Sequence, residues 1–143
     1  MIHPERIAEV MGGVTILGQE VRSFRDLENS VTGGLPKTAL RCTLERVYEK
    51  AGDLREAMYR VVPEATFKRR TRLSQEEGER TERLARVIAA AEYVWDNAKD
   101  AREWLRKPHP ELDGRTPLEA AESELGARRV EYVLDSIFYG LPV

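Results

Sequence analysis

Cysteine is almost missing from this sequence. Cys42 stands alone, so no disulfide framework holds the chain together. It sits among Leu40, Leu44 and Val47 at helical spacing, which reads as a buried, inert thiol. Histidine is scarce too: His3 lies at the start and His109 in a proline-bounded loop, with no His/Cys/Asp spacing able to hold a metal. The chain has no glycine-rich phosphate cradle and no Gly-x-Ser-x-Gly elbow. Carboxylate pairs such as Glu76/Glu77 and Glu122/Glu124 are ordinary in a helical chain this acidic. Neither a cofactor nor an enzymatic activity is expected. Long apolar runs are also lacking: nothing approaches the roughly 18 residues of a membrane span, and Met1-Ile2-His3-Pro4-Glu5 has no basic region before an apolar core. A cytoplasmic protein without a membrane partner is the expectation.

Charge is abundant. Charged residues make up 34% of the 143 residues against 7% aromatics, the balance of a helical chain forming one domain or two small ones sharing a core. The net charge of -2 alone predicts no nucleic acid. Its distribution does: residues 60–86 hold eight basic and five acidic side chains, whereas both flanking segments are acidic on balance. Lys68, Arg69, Arg70 and Arg72 crowd into five positions of that basic third.

Helical periodicity and its punctuation run through the chain. Pro4 to Met11 predicts a short helix ended by Gly12-Gly13. Val14 to Val21 alternates imperfectly and reads as extended or loop. Ser23 with Asp26 caps a helix from Phe24 to Val31, closed by Gly33-Gly34, and Leu35-Pro36 reads as a linker. Leu40, Leu44, Val47 and Tyr48 predict an amphipathic helix from Thr38 to Ala51, stopped at Gly52. Asp53 with Glu56 reads as a capping box for a helix from Leu54 to Val61. Val61-Val62-Pro63 is the turn, and Glu64 to Arg72 the next helix. Ser74 with Glu77 is a further capping box, opening the longest helix, Gln75 to Asp96, whose stripe of Leu84, Val87, Ile88, Ala91, Val94 and Trp95 makes it the spine of the molecule.

A helix, a tight corner and a second, basic helix form a helix-turn-helix pattern. The second helix is slim enough for the major groove, where Thr66, Lys68, Arg69, Arg70 and Arg72 are the candidates to neutralise phosphates or reach bases, while Phe67 faces inward. Two features depart from the usual motif: Val61-Val62 stands where a glycine is common, and Pro63 where a capping hydroxyl is common. A charged helix can also be nothing more than a solvated face.

The last forty residues read as short helices joined by hard punctuation. Pro108 and Pro110 stop a helix, Lys99 to Lys107, that carries Trp104 and Leu105. Asp113-Gly114 turns tightly, and Thr116-Pro117-Leu118-Glu119 restarts a helix through a capping box with proline at its first position. Gly126 marks another break. Val130, Val133, Leu134, Ile137 and Phe138 then share one helical face before Tyr139-Gly140-Leu141-Pro142-Val143.

This string, with Gly34-Leu35-Pro36, Thr66-Phe67-Lys68-Arg69-Arg70 and Leu84-Ala85-Arg86-Val87 upstream, resembles the Xre/MbcA/ParS antitoxins of RES-Xre type toxin-antitoxin pairs over most of the chain. The resemblance implies an all-α protein: an N-terminal Xre/Cro-like helix-turn-helix half joined by a long helix to a small helical toxin-binding domain. The expected divisions are 1–36 for the short N-terminal helices and linker, 37–73 for the helix-turn-helix, and 74–143 for the spine helix and toxin-binding domain. It further implies a homodimer that represses its own operon and holds a RES-domain, NAD-consuming toxin. The candidate toxin-binding residues are Trp104, Arg115, Phe138, Tyr139, Gly140, Leu141, Pro142 and Val143, with Leu105, Pro108, Leu112, Gly114, Thr116, Pro117, Leu118, Val130, Leu134 and Ile137 forming the body of that domain. The tail offers apolar and aromatic groups beyond the last helix, to be buried in a partner's cleft or folded back on the core. A dimeric helix-turn-helix regulator whose C-terminal domain binds a ligand or another partner fits the same residues.

Overall fold

The long stretch from Gln75 to Trp95 forms a helix of 21 residues, and most of the other elements pack against it. The structure is a computed structural model describing residues 2–140. Ahead of this spine, α7, come α1 (Pro4–Val10), α2 (Gly13–Leu17), α3 (Phe24–Thr32), α4 (Lys37–Glu45), α5 (Ala51–Val61) and α6 (Glu64–Arg69). After it come α8 (Ala98–Leu105), a 3-10 turn (Pro110–Leu112), α9 (Pro117–Ala120) and α10 (Glu124–Phe138). No strand occurs among the described residues; one isolated antiparallel bridge joins Pro36 to Arg72. The fold is all-α. One apolar core runs from Ile7 through Leu40, Met58 and Ile88 to Leu112 and Leu134, each at most 1% exposed.

The capping signals at four helix starts behave as their chemistry dictates. Ser74 and Thr116 each accept from the amide three residues on, while Glu77 and Glu119 reach back to the cap amide. Ser23 and Ser123 cap α3 and α10. Burial alone would raise the Glu77 carboxyl. The Ser74 amide and hydroxyl and the Arg70 guanidinium outweigh it and hold Glu77 below the ordinary carboxylate range.

Elsewhere packing overrides the local pattern. Val14 to Leu17 lies in α2, neither extended nor a loop, and Gly12 and Gly13, its cap and first residue, both have positive φ. The helix expected from Thr38 to Ala51 ends at Glu45. The chain turns at Arg46, whose guanidinium sits 2.8 Å from Glu92 of α7. That turn sends Val47 into the core and lays Tyr48 under Arg106, whose guanidinium is 4.9 Å from the ring centre. Gly52, expected to stop a helix, lies in the first turn of α5, and Asp53 caps nothing: it pairs with Arg106 at 3.4 Å. Cys42 is half-buried, and burial, with Glu45 next in effect, pushes its thiol up.

Gly126 was expected to mark a break, but it lies within the first turn of α10. Its role is close approach: a Cβ there would sit 1.8 Å from the Ala120 carbonyl oxygen. Only the bare backbone lets α10 pack onto the end of α9.

An arginine hub fastens α7 to α10. Arg86 reaches Glu131 at 2.6 Å, Glu124 at 3.0 Å and Glu82 at 3.4 Å, while Arg83 reaches Glu124 at 3.2 Å. Burial works against the Arg86 charge, yet Glu82, Glu131 and Glu124 hold its pKa above the ordinary value. Burial pushes the Glu82 carboxyl up; Arg86 opposes this, and the nearby Glu124 and Glu131 charges add to it. The hub carries one carboxylate more than it has guanidiniums.

Candidate functional site

The basic helix sits where α5 and α7 can fix it. Phe67 is buried at 6% exposure, and its ring meets Tyr59 of α5 edge-on at 6.0 Å. Lys37 donates to the Phe67 carbonyl at 2.7 Å and lies 4.9 Å from the centre of the same ring, so a cation neutralises the negative end of α6. Arg80 of α7 donates to the Arg60 and Val61 carbonyls that end α5. Pro63 supplies no capping side chain, and Val62 is extended, so the corner turns without glycine.

Of the five candidates for nucleic acid, the geometry separates two groups. Thr66, Lys68 and Arg69 lie on the six-residue helix itself, with Lys68 and Arg69 exposed. Lys68 is 3.2 Å from Glu64 in an exposed pair that water and salt screen, and Arg69 has no ion-pair partner among the described residues. Arg70 and Arg72 do not belong to α6, which was expected to run to Arg72. Arg70 pairs with Glu77 at 2.7 Å, and Arg72 donates to the Gly34 carbonyl at 2.7 Å. The amides of Lys37 and Leu73 donate to the carbonyls of Thr71 and Leu35 in the same place. Arg70 and Arg72 therefore each give a donor to tying the segment after α6 to the linker before α4 and to the capping box of α7. Helix propensity and charge alone could not show this, because the Gly34 carbonyl lies 38 residues before Arg72, and Glu77, seven residues after Arg70, belongs to a different helix.

The C-terminal candidates divide likewise. Trp104 is half-buried, with its ring 6.4 Å from Trp95 and 6.2 Å from His109. Arg115 donates to the Leu112 carbonyl at 3.1 Å and lies 3.9 Å from Asp113, holding the turn. Arg129 pairs with the same Asp113 at 2.8 Å. Leu105, Leu112, Leu118, Val130 and Leu134 are core. Phe138 and Tyr139 are 48% and 68% exposed at the end of α10, and Gly140 has a positive φ. Leu141, Pro142 and Val143 lie outside the described residues.

Beside Phe138 stands a residue that the stripe of α7 leaves out. Tyr93 is 49% exposed, and its ring is 5.4 Å from Phe138, which meets Tyr139 edge-on at 5.1 Å. The three rings form an aromatic ledge, with Arg6 of α1 5.4 Å from the centre of the Tyr93 ring. They border a groove of about 300 Å³ that Phe24, Ile7 and Ala90 also line. The sequence signal was present: Tyr93 is a large aromatic off the buried face of its helix.

Among the described residues no three His, Cys, Asp or Glu side chains are grouped to hold a metal ion, and no helix is long and apolar enough to cross a membrane. Comparison with known families matches two successive segments of the chain. Residues 26–86 match the "Antitoxin Xre-like helix-turn-helix domain", which takes in α3 through most of α7. Residues 90–140 match the "Antitoxin Xre/MbcA/ParS C-terminal toxin-binding domain", which takes in the aromatic ledge. A curated relative, "Antitoxin Xre" of Pseudomonas putida, is 33% identical over 84 residues, 56% of this chain and 53% of the relative. The chain thus spans about half the length of the curated relative it matches. With a helix-turn-helix domain followed by a toxin-binding domain on one all-α core, the chain belongs to the Xre/MbcA/ParS antitoxin family.

Proposed function

We propose that this chain is the antitoxin of a type II toxin-antitoxin pair, working in the cytoplasm on a RES-domain toxin that consumes NAD. Its C-terminal segment enters the toxin's active-site cleft and keeps substrate out, and as a homodimer it represses its own operon through α6. The aromatic ledge carries this reading. Tyr93, Phe138 and Tyr139 stand together in solvent within the segment that the toxin-binding family matches. Large rings left half in water gain the folded monomer little. Buried in a partner, each contributes ~1.5–3 kcal/mol, and a ring with two rotatable bonds loses little entropy on docking.

For DNA the support is narrower and comes from Thr66, Lys68 and Arg69 on a helix held from behind by Phe67 and Lys37. So small a set binds duplex usefully only when two copies act together. The test of toxin binding removes residues 139–143 and co-expresses the shortened chain with the tagged product of the neighbouring toxin gene. The shortened chain keeps its helical circular dichroism and no longer copurifies or protects NAD. If it still protects NAD, the cleft-blocking role of the tail is wrong.

A further inference from the structure

Helix α8 lays a basic groove against the start of α5, at the far end of that helix from α6. Lys99, Arg102 and Arg106 recur at three and four residues, so they share one face at α8, and Lys107 follows them. With Glu49 and Glu103 they line an open groove of about 490 Å³, four cations to two carboxylates. Lys107 has no ion-pair partner among the described residues, and Lys99 only an exposed neighbour, Glu103, at 4.0 Å. Arg102 lies 3.0 Å from Glu49, and Arg106 lies 3.4 Å from Asp53, the acidic residue in the first turn of α5. Each guanidinium keeps further N–H groups for another acceptor. The first turn of α5 beside them is open. Lys50 precedes it without a capping side chain, Ala51 and Gly52 are exposed, and nothing stands within 4 Å of a Cβ added at Gly52.

We infer that this groove grips the phosphate backbone of the duplex whose major groove α6 enters, so that the C-terminal half of the chain adds to DNA affinity. In a helix-turn-helix the second helix lies in the groove while the first crosses the backbone. Here α5 is the first, and its 11 residues span about 16 Å. The major groove is about 12 Å wide, so with α6 inside it the start of α5 falls at the row of phosphates that walls it. Arg106 fastens α8 at that same end. A phosphate arriving there meets the uncapped amides of a helix start and the surplus cations of α8 together. The inference rests on the reading of α6 as the DNA helix and goes beyond it: α8 lies in the segment matched as toxin-binding, and this gives it a part in holding DNA.

The test is fluorescence anisotropy of a labelled duplex from the region upstream of the gene, titrated with the full chain in salt from about 50 to 200 mM. Replacing Lys99 and Lys107 together by alanine should lower the slope of log affinity against log salt by about 2 and weaken binding at least about tenfold at the lowest salt, because two phosphate contacts are lost. Lys99→Arg with Lys107→Arg should keep both, since the charges remain. Both lysines are exposed, so the thermal midpoint of the alanine pair should stay that of the parent. A slope that Arg69→Ala lowers and the alanine pair leaves unchanged overturns this inference while the α6 reading stands. A slope that neither alters, or a chain that binds no duplex, overturns both.

Discussion

Replacing Gly126 by alanine pits two magnitudes against each other at a single atom. In a helix, alanine is favoured over glycine by about 1 kcal/mol, so propensity alone makes Gly126→Ala stabilising. The new Cβ, however, falls 1.8 Å from the Ala120 carbonyl oxygen, 2.8 Å from its carbon and 2.9 Å from Ser123 Oγ. Two of these are backbone atoms that cannot swing aside. The first turn of α10 must lift from α9, where Ala120, Ala121 and Ala127 are fully buried. Such overpacking costs about 1–3 kcal/mol, and disturbing the Ser123 cap, which accepts from the Gly126 amide at 3.0 Å, costs about 1 more. Sterics win, and a net loss of about 1–3 kcal/mol is expected, lowering the thermal midpoint by several degrees. Gly52→Ala is the control. It also lies in the first turn of a helix, but nothing stands within 4 Å of the added Cβ, so the same exchange gains about 0.5 kcal/mol. Urea and thermal unfolding of both variants decide the matter. A Gly126→Ala protein as stable as the parent, or less harmed than Gly52→Ala, refutes the packing of α10 on α9.

Four further expectations follow from particular contacts. Phe67→Ala removes the anchor between α6 and Tyr59 and should cost about 3–5 kcal/mol in denaturant unfolding; a loss below about 1 kcal/mol would mean that α6 is not packed as described. Arg69→Ala should reduce the slope of log affinity for operator DNA against log salt by roughly 1 while leaving stability unchanged. Arg70→Ala, by breaking the 2.7 Å pair with Glu77, should lower stability at neutral pH, and the reverse assignment of these two effects would contradict the division of the basic cluster. Glu82→Gln tests the arginine hub through pH. A carboxyl raised by burial penalises the fold while it is ionised, so the exchange should stabilise most at neutral pH. That advantage should shrink as pH falls through the raised value toward the ordinary carboxylate range of about 4.3. Glu77 has the opposite sign, for its lowered carboxyl contributes above the ordinary range and is lost as pH falls through the lowered value. An advantage that grows in acid would show that Glu82 is held ionised, not strained.

What could be read from the residues was whatever is settled within one turn of a single helix. Ser74 with Glu77 and Thr116 with Glu119 close their boxes because every partner lies three residues away. Phe67 was legible as an anchor because a large apolar residue in a charged helix has only one place to go. What escaped was decided by how one element meets another. Arg46 leaves α4 to meet Glu92, Arg70 and Arg72 each give a donor, to Glu77 and to the Gly34 carbonyl respectively, and Gly126 answers to α9. The aromatic ledge was half legible: Phe138 and Tyr139 end the last helix, but Tyr93 joins them only because α7 and α10 cross there.

The central claim is that the C-terminal half of this chain restrains a toxin. It is tested most directly by following NAD and growth in cells that express the neighbouring gene, with and without this chain. NAD drained by the neighbour and restored by this chain is the predicted result. A neighbour that drains NAD whether or not this chain is present would contradict the claim.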